Sequence, residues 1–250
     1  MTIASWDEAV GLALKQRESE RQGWGLTIEA EPIKSIDDCL NRQPAKRFEF
    51  LGRLTHGTTI IPAWQWIGEI SQHHPDRLRL LDYGTIKSAI NFLRSEHGTS
   101  ADVNVSAAIL AAADFPRWIS QEIANVGTSR LRLDVDVRIP LSAVHIRTLE
   151  SLRQNFLVAL DDYGDRAGAV DLLELRPNGI KASARILEEI NNEPYGKAAF
   201  MGVHETGRSL EDSGFPHLRT VYKGVSSLGV LNNLRRYVPD TALIQGRLVQ

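Results

Sequence analysis

Short apolar runs that read as strands alternate with one-face apolar patterns that read as helices along almost the whole chain. Trp6 to Gln22 has a helical pattern, and Leu26–Ile33 and Arg47–Leu54 then read as extended. Pro62 opens a further helix, after which Ile86, Ala89, Ile90 and Leu93 recur at the spacing of one helix face. Asp102–Ser106 is a short strand, followed by a helical region holding Trp118, Ile119 and Ile123. From Leu131 to Ile139 the chain alternates: Leu131, Val135 and Ile139 face one way, Arg132, Asp134 and Asp136 the other. Leu149, Leu152 and Phe156 mark a helix leading into the apolar run Phe156–Leu160, which exits on Asp161, Asp162, Tyr163 and Gly164. Gly179–Lys181 follows, and the last strands fall at Leu218–Gly224 and Ala242–Gly246 with a helix around Leu228 to Tyr237 between them.

Roughly eight strands with helices between them match the size of one (βα)8 barrel. The expectation is therefore an α/β fold with a single domain spanning residues 1–250, in which no Pro/Gly/Ser-rich segment marks a boundary. Pattern alone leaves an open doubly wound sheet as the alternative. No Gly-x-Gly-x-x-Gly or Gly/Lys phosphate loop follows a strand, which argues against a nucleotide-cofactor fold.

Composition adds exclusions. The 29 basic and 31 acidic residues are interspersed and nearly cancel, so no nucleic-acid or anionic-membrane surface is expected. Cys39 is the only cysteine, which rules out an intrachain disulfide and suits a reducing compartment. No apolar run approaches the length of a membrane span, and Met1 to Arg21 is polar, so a cytoplasmic location is expected.

Side chains alternate along a strand, so Glu49, Leu51 and Arg53 share one face while Phe48 and Phe50 share the other. In a barrel the apolar set packs on the outer helices, and Glu49, Arg53 and Asp134 point inward. Asn104, Asp161, Lys181 and Gln245 lie near the ends of their strands, so polar groups converge on one mouth, where parallel barrels carry their chemistry. Simpler readings exist for each feature. Asp161 and Asp162 suit a helix N-cap and a turn. The stretch from Leu131 to Ile139 also suits a half-exposed antiparallel strand. Glu49 with Arg53 suits a structural ion pair. Trp64 and Trp66 suit helix packing, and His73-His74 a solvated helix end, with no zinc site in prospect.

Taken in order, Glu31-Pro-Ile33, Glu49-Phe-Leu-Gly-Arg53, Val103-Asn-Val-Ser106, Leu133-Asp-Val135, Leu160-Asp-Asp-Tyr-Gly164, Ile180-Lys181 and Gln245-Gly246 resemble the signatures of the EAL-domain cyclic-di-GMP phosphodiesterases over nearly the whole chain. The resemblance implies a modified TIM barrel whose mouth holds Mg2+ or Mn2+, which activate a water that cuts one phosphodiester of cyclic di-GMP. By position, Glu49, Asn104, Asp134 and Asp161 match ligands of the first metal, and Asp162 belongs with the second. Lys181 matches a water-orienting lysine, Arg53 an arginine near the substrate phosphate, and Gln245 a glutamine beside the metals.

Departures from the family pattern matter equally. The Ala-Glu-Gly-Val-Glu motif, which carries the general base, has two candidate registers. Phe200–Glu205 places its equivalent only 20 residues after Lys181, whereas Tyr222–Ser226 places Lys223 42 residues after Lys181 and 22 before Gln245, nearer the family's usual spacing. The first register puts Met201 at the base position and the second, which is preferred, Lys223; neither supplies a carboxylate. Ser183 replaces the Asp of Lys-Ile-Asp, the loop after the paired aspartates reads Asp165-Arg-Ala-Gly-Ala169, Glu31 replaces a Gln, and Ala108 stands where an Arg is expected. A positioned general base is worth about 10² to 10⁴ in rate. Lys223 is therefore expected to pair with Asp161 or Asp162 as a partial substitute for a metal.

Three functions follow from the resemblance. The leading one is a degenerate, non-hydrolytic cyclic-di-GMP receptor or signalling module, binding through Arg53, Gln245 and Glu31. The others are a protein-binding adaptor without nucleotide and a weak metal-dependent phosphodiesterase. The resemblance allows Mg2+ or Mn2+ as cofactor, and cyclic di-GMP, a protein partner or a second copy as partner, with no role for nucleic acid or membrane.

Overall fold

The computed structural model describes residues 13, 23–61, 63–136, 141–165, 169–191, 194–212 and 219–250. Its strands are β1 (Trp24–Ser35), β2 (Arg47–His56), β3 (Thr59–Ile61), β4 (Ser100–Val105), β5 (Leu131–Asp136), β6 (Leu157–Tyr163), β7 (Gly179–Ala182), β8 (Val221–Tyr222) and β9 (Leu243–Gln245). Its helices are α1 (Ile36–Leu40), α2 (Ile67–His73), α3 (Pro75–Ser95), α4 (Ala107–Leu110), α5 (Phe115–Glu122), α6 (Ala143–Leu152), α7 (Ala169–Leu175), α8 (Ala184–Glu189), α9 (Tyr195–Asp212) and α10 (Leu228–Leu234). The strand order β1-β9-β8-β7-β6-β5-β4-β2, closed by a β1–β2 pairing, makes an eight-stranded barrel, and β3 extends β2 as a hairpin outside it.

The (βα)8 expectation holds with one reversal. Strands β2 and β4 to β9 run parallel, but β1 is antiparallel to both β2 and β9. A parallel connection needs a crossover of a dozen or more residues. Between β1 and β2 only the single-turn helix α1 and a short loop are present, so the chain doubles back.

The outward faces of the strands form the main core. Val103, Val105, Leu133, Val135, Leu160 and Ile244 are fully buried against helix residues such as Ile86, Ile90 and Leu93. A second cluster of Trp24, Leu54, Ile61, Trp66, Ile70 and Leu78 seats the β2–β3 hairpin on α2 and α3. Trp66 is thus a packing residue, its Nε1 donating to the Ile61 carbonyl at 3.4 Å.

Several sequence boundaries move. The helix expected at Trp6–Gln22 lies outside the described residues apart from Ala13, as do Pro62, Ile139 and Leu218. Of the strand expected at Leu218–Gly224, the described residues form strand at Val221–Tyr222, and two residues on Gly224 turns the chain at φ 85°. The strand placed at Phe156–Leu160 runs on through both aspartates to Tyr163. Helix α9, absent from the sequence reading, takes in Phe200–Glu205 and so removes that stretch from the mouth.

Gly246 locks the last strand to the loop beyond β8. The Val225 amide donates to the Gln245 carbonyl at 3.0 Å and the Leu248 amide to the Val225 carbonyl at 3.1 Å. At φ 145°, a Cβ on Gly246 would meet the Val225 backbone at 2.6–2.9 Å. Gly246→Ala should therefore lower stability in urea unfolding by about 2–3 kcal/mol. An unchanged midpoint would contradict the close approach.

Candidate functional site

The barrel interior is built on a buried ammonium. Lys181 on β7 is fully buried, and its Nζ lies 2.6 Å from Asp134 on β5, 3.1 Å from Glu49 on β2 and 3.4 Å from Asp102 on β4. These are ion-pair distances without hydrogen-bond alignment for Nζ. Below, Arg47 forks onto Asp102 with contacts of 2.6–3.1 Å, and Arg132 approaches the same carboxylate at 3.7 Å.

The electrostatics follow from burial and neighbours. Burial favours neutral Lys181, but Asp134, Glu49 and Asp102 outweigh it and hold the ammonium well above its ordinary pKa. Burial would raise Asp102, yet Arg47 and Lys181 hold it far below the carboxylate range. Asp134 goes the other way: burial, joined by Asp102 and Glu49, lifts it well above that range despite Lys181.

Asp161 and Asp162 occupy the mouth end of β6, and both reach the same cation. Lys223, the residue after β8, places its Nζ 2.8 Å and 3.0 Å from the two Asp161 oxygens and 2.8 Å from Asp162 Oδ1. Adjacent strand residues ordinarily face opposite ways. Here the pairing of β6 with β7 is irregular between Leu160 and Tyr163, and Asp162 sits at φ 52°, which turns its side chain to the same side as Asp161. Burial would raise Asp161, but Lys223 and then Lys181 pull it below the ordinary range. Burial likewise opposes charge on Lys223, and Asp161, Glu49 and Asp162 override it to keep the lysine protonated.

The remaining sequence candidates form one rim network. Asn104 Nδ2 donates to Glu49 at 3.1 Å, and Gln245 Nε2 donates to Glu49 at 2.5 Å and to Glu31 at 3.1 Å. Arg53 does not pair with Glu49: its Nη2 donates to Glu31 at 2.6 Å and its Nε to Glu29 at 3.1 Å. Ser183 caps α8 by accepting from the Arg185 amide at 3.2 Å, and Ala108 packs against the second core cluster.

Glu29, Arg47, Asp102 and Asp82 complete the site and were missed in the sequence. Period-two alternation was a usable signal for three of them, since Arg47 shares a face with Glu49, Asp102 with Asn104, and Glu29 with Glu31. Asp82 sits on α3 and had no such signal.

Above the rim lies a cavity of about 410 Å³, large enough for a small ligand. Among the described residues six carboxylates line it, Glu31, Glu49, Asp82, Asp136, Asp161 and Asp162, against two cations, Arg53 and Lys223. The arrangement does not fit a divalent pair. Asp161 and Asp162 share the Lys223 ammonium, Glu49 and Asp134 face Lys181, and among the described residues no three His, Cys, Asp or Glu side chains are placed to hold a metal ion.

The EAL domain sequence profile matches residues 32–249. No curated protein sequence matches the chain. Among solved structures, the EAL enzyme Bd1971 in its cAMP- and cyclic-di-GMP-bound form superimposes with a TM-score of 0.77 at 15% identity, over 97% of this chain and 66% of that one. The PaMucR phosphodiesterase in complex with c-di-GMP gives 0.72 at 19% identity, over 90% of this chain and 95% of that one. The S helix-GGDEF-EAL portion of Vibrio cholerae LapD, bound to c-di-GMP, gives 0.75 at 17% identity, over 100% of this chain and 58% of that one. The chain thus spans less than two thirds of Bd1971 and of that LapD portion.

Asp82 gives the mouth a pH-dependent stability. Its carboxylate accepts from the Ser106 amide at 3.4 Å and from the Ser106 hydroxyl, and burial raises its pKa to about 7 against those two bonds. Between pH 4 and 7 the unfolded chain releases this proton while the folded one keeps it, so stability falls as pH rises through that window. Asp82→Asn retains the acceptor without the titration. Its stability relative to wild type should increase from pH 4 to pH 8, by up to about 4 kcal/mol. A melting-temperature difference independent of pH would contradict the assignment.

Proposed function

This chain belongs to the EAL domain family, and we propose that within it the chain is a degenerate, non-hydrolytic member acting as a cyclic-di-GMP receptor or signalling module. One observation carries the reading: the Lys223 ammonium lies 2.8 Å from both Asp161 and Asp162. Two consequences follow. A protonated lysine held charged by these carboxylates cannot accept a proton from water, so the general-base contribution of about 10² to 10⁴ is lost. A metal ion brought to Asp161 and Asp162 would also meet a resident positive charge, a repulsion of about 4 kcal/mol per unit charge at 4 Å in an effective dielectric of about 20.

Retained binding is supported by the cavity and by the persistence of Arg53 and Gln245 on its lining. It is supported too by the fold neighbours PaMucR phosphodiesterase and LapD, both of which were solved with c-di-GMP. A specific observation favours the adaptor reading as the alternative: Arg53 is held by Glu29 and Glu31, in a mouth where carboxylates outnumber cations among the described residues.

Overnight incubation of the chain with cyclic di-GMP and Mg2+ or Mn2+, followed by chromatography, should yield no linear dinucleotide above a protein-free control; robust turnover would overturn the non-hydrolytic reading. Equilibrium dialysis of radiolabelled cyclic di-GMP in metal-free buffer should show retention by the protein. No retention would favour the adaptor.

A further inference from the structure

Among the described residues, both cations that line the cavity, Arg53 and Lys223, are already engaged by carboxylates of the same chain. Lys223 is taken by Asp161 and Asp162, and Arg53 by Glu29 and Glu31. The Arg53 clamp follows from strand geometry. In the antiparallel β1–β2 ladder Thr27 pairs with Arg53, Glu29 with Leu51 and Glu31 with Glu49. Thr27, Glu29 and Glu31 share one face of β1, so Glu29 is the diagonal neighbour of Arg53 and Glu31 lies one step further along the same row.

The guanidinium spans that row, with Nε on Glu29 and Nη2 on Glu31. Its side chain keeps only 15% of its surface exposed, whereas Glu31 keeps 23% and Glu29 40%. Glu31 is further braced by Gln245 Nε2, while the buried Gln245 Oε1 on the cavity wall has no hydrogen-bond partner among the described residues. A guanidinium fork is the side chain best matched to a phosphodiester, and a carboxylate competes for the same two N–H groups.

We infer that Glu29 and Glu31 are specificity-determining residues that withhold Arg53 from anionic ligands, so that a phosphodiester engages the mouth only by displacing them. The inference rests on the receptor reading for its ligand, cyclic di-GMP, and for its site. Displacement costs the Arg53–carboxylate contacts, and it leaves two carboxylates beside an incoming phosphate. The clamp therefore lowers affinity for a dianion and favours neutral or cationic groups at this position.

Isothermal titration calorimetry with cyclic di-GMP, at fixed salt and without metal, tests this on wild type, Glu29→Gln/Glu31→Gln, and each of these combined with Arg53→Ala. Circular dichroism melts verify that all four fold. The double glutamine variant keeps hydrogen-bond acceptors for Arg53 and removes both charges. It should bind about ten-fold more tightly or better, the scale of a charge-assisted hydrogen bond, and Arg53→Ala should abolish that gain. Equal affinity of wild type and the double variant overturns the inference and leaves the receptor reading standing. Binding by the double variant alone upholds the inference and overturns the receptor reading. A gain that survives Arg53→Ala overturns it, because bulk charge rather than a released arginine is then responsible. Binding by neither overturns both.

Discussion

A full positive charge sits in the interior of the barrel, out of reach of water. Lys181 exposes none of its side chain, and an unpaired ammonium there would cost several kcal/mol. Three strands answer it, with Glu49 from β2, Asp102 from β4 and Asp134 from β5. This ties the register of four strands together. A one-residue slip in β2, β4 or β5 would turn its carboxylate outward into the apolar layer and remove one of the lysine's three partners, and a slip in β7 would turn the ammonium itself outward. Arg47 and Arg132 extend the same logic one layer down on Asp102, and Asn104 and Gln245 extend it one layer up on Glu49.

The mouth repeats the pattern on a smaller scale. Carboxylates gathered at the ends of parallel strands repel one another, and something positive must lie among them. Among the described residues two side chains fill that role: Lys223 between Asp161 and Asp162, and Arg53 between Glu29 and Glu31. The mouth carries its own counter-ions, which is why a binding or signalling role is proposed for it rather than a hydrolytic one.

Much of this was legible in the sequence because it depends on local periodicity. Alternation in β2 and β5 placed Glu49 and Asp134 inward, and the structure puts both on Lys181. What escaped depends on backbone irregularity or on long side chains reaching across strands. Strict alternation puts Asp161 and Asp162 on opposite faces; the irregularity beside Tyr163 and the positive φ of Asp162 bring them together. The reversal of β1 follows from a short connection rather than from the pattern of β1 itself. Arg53 reaches across the ladder to its diagonal neighbour Glu29 and, one step further, to Glu31 instead of pairing with Glu49 on its own strand, which Lys181, Asn104 and Gln245 already hold. Asp82 reaches the mouth from a helix, where its partner Ser106 is set by tertiary packing alone.

In the proposed receptor Lys223 takes the place of a metal ion between Asp161 and Asp162. Crystals grown or soaked in excess Mn2+ and measured for anomalous scattering address it directly. No manganese peak is expected between the two carboxylates, with the lysine ammonium still in contact with both. A manganese ion coordinated by Asp161 and Asp162, with Lys223 turned out into solvent, would contradict it.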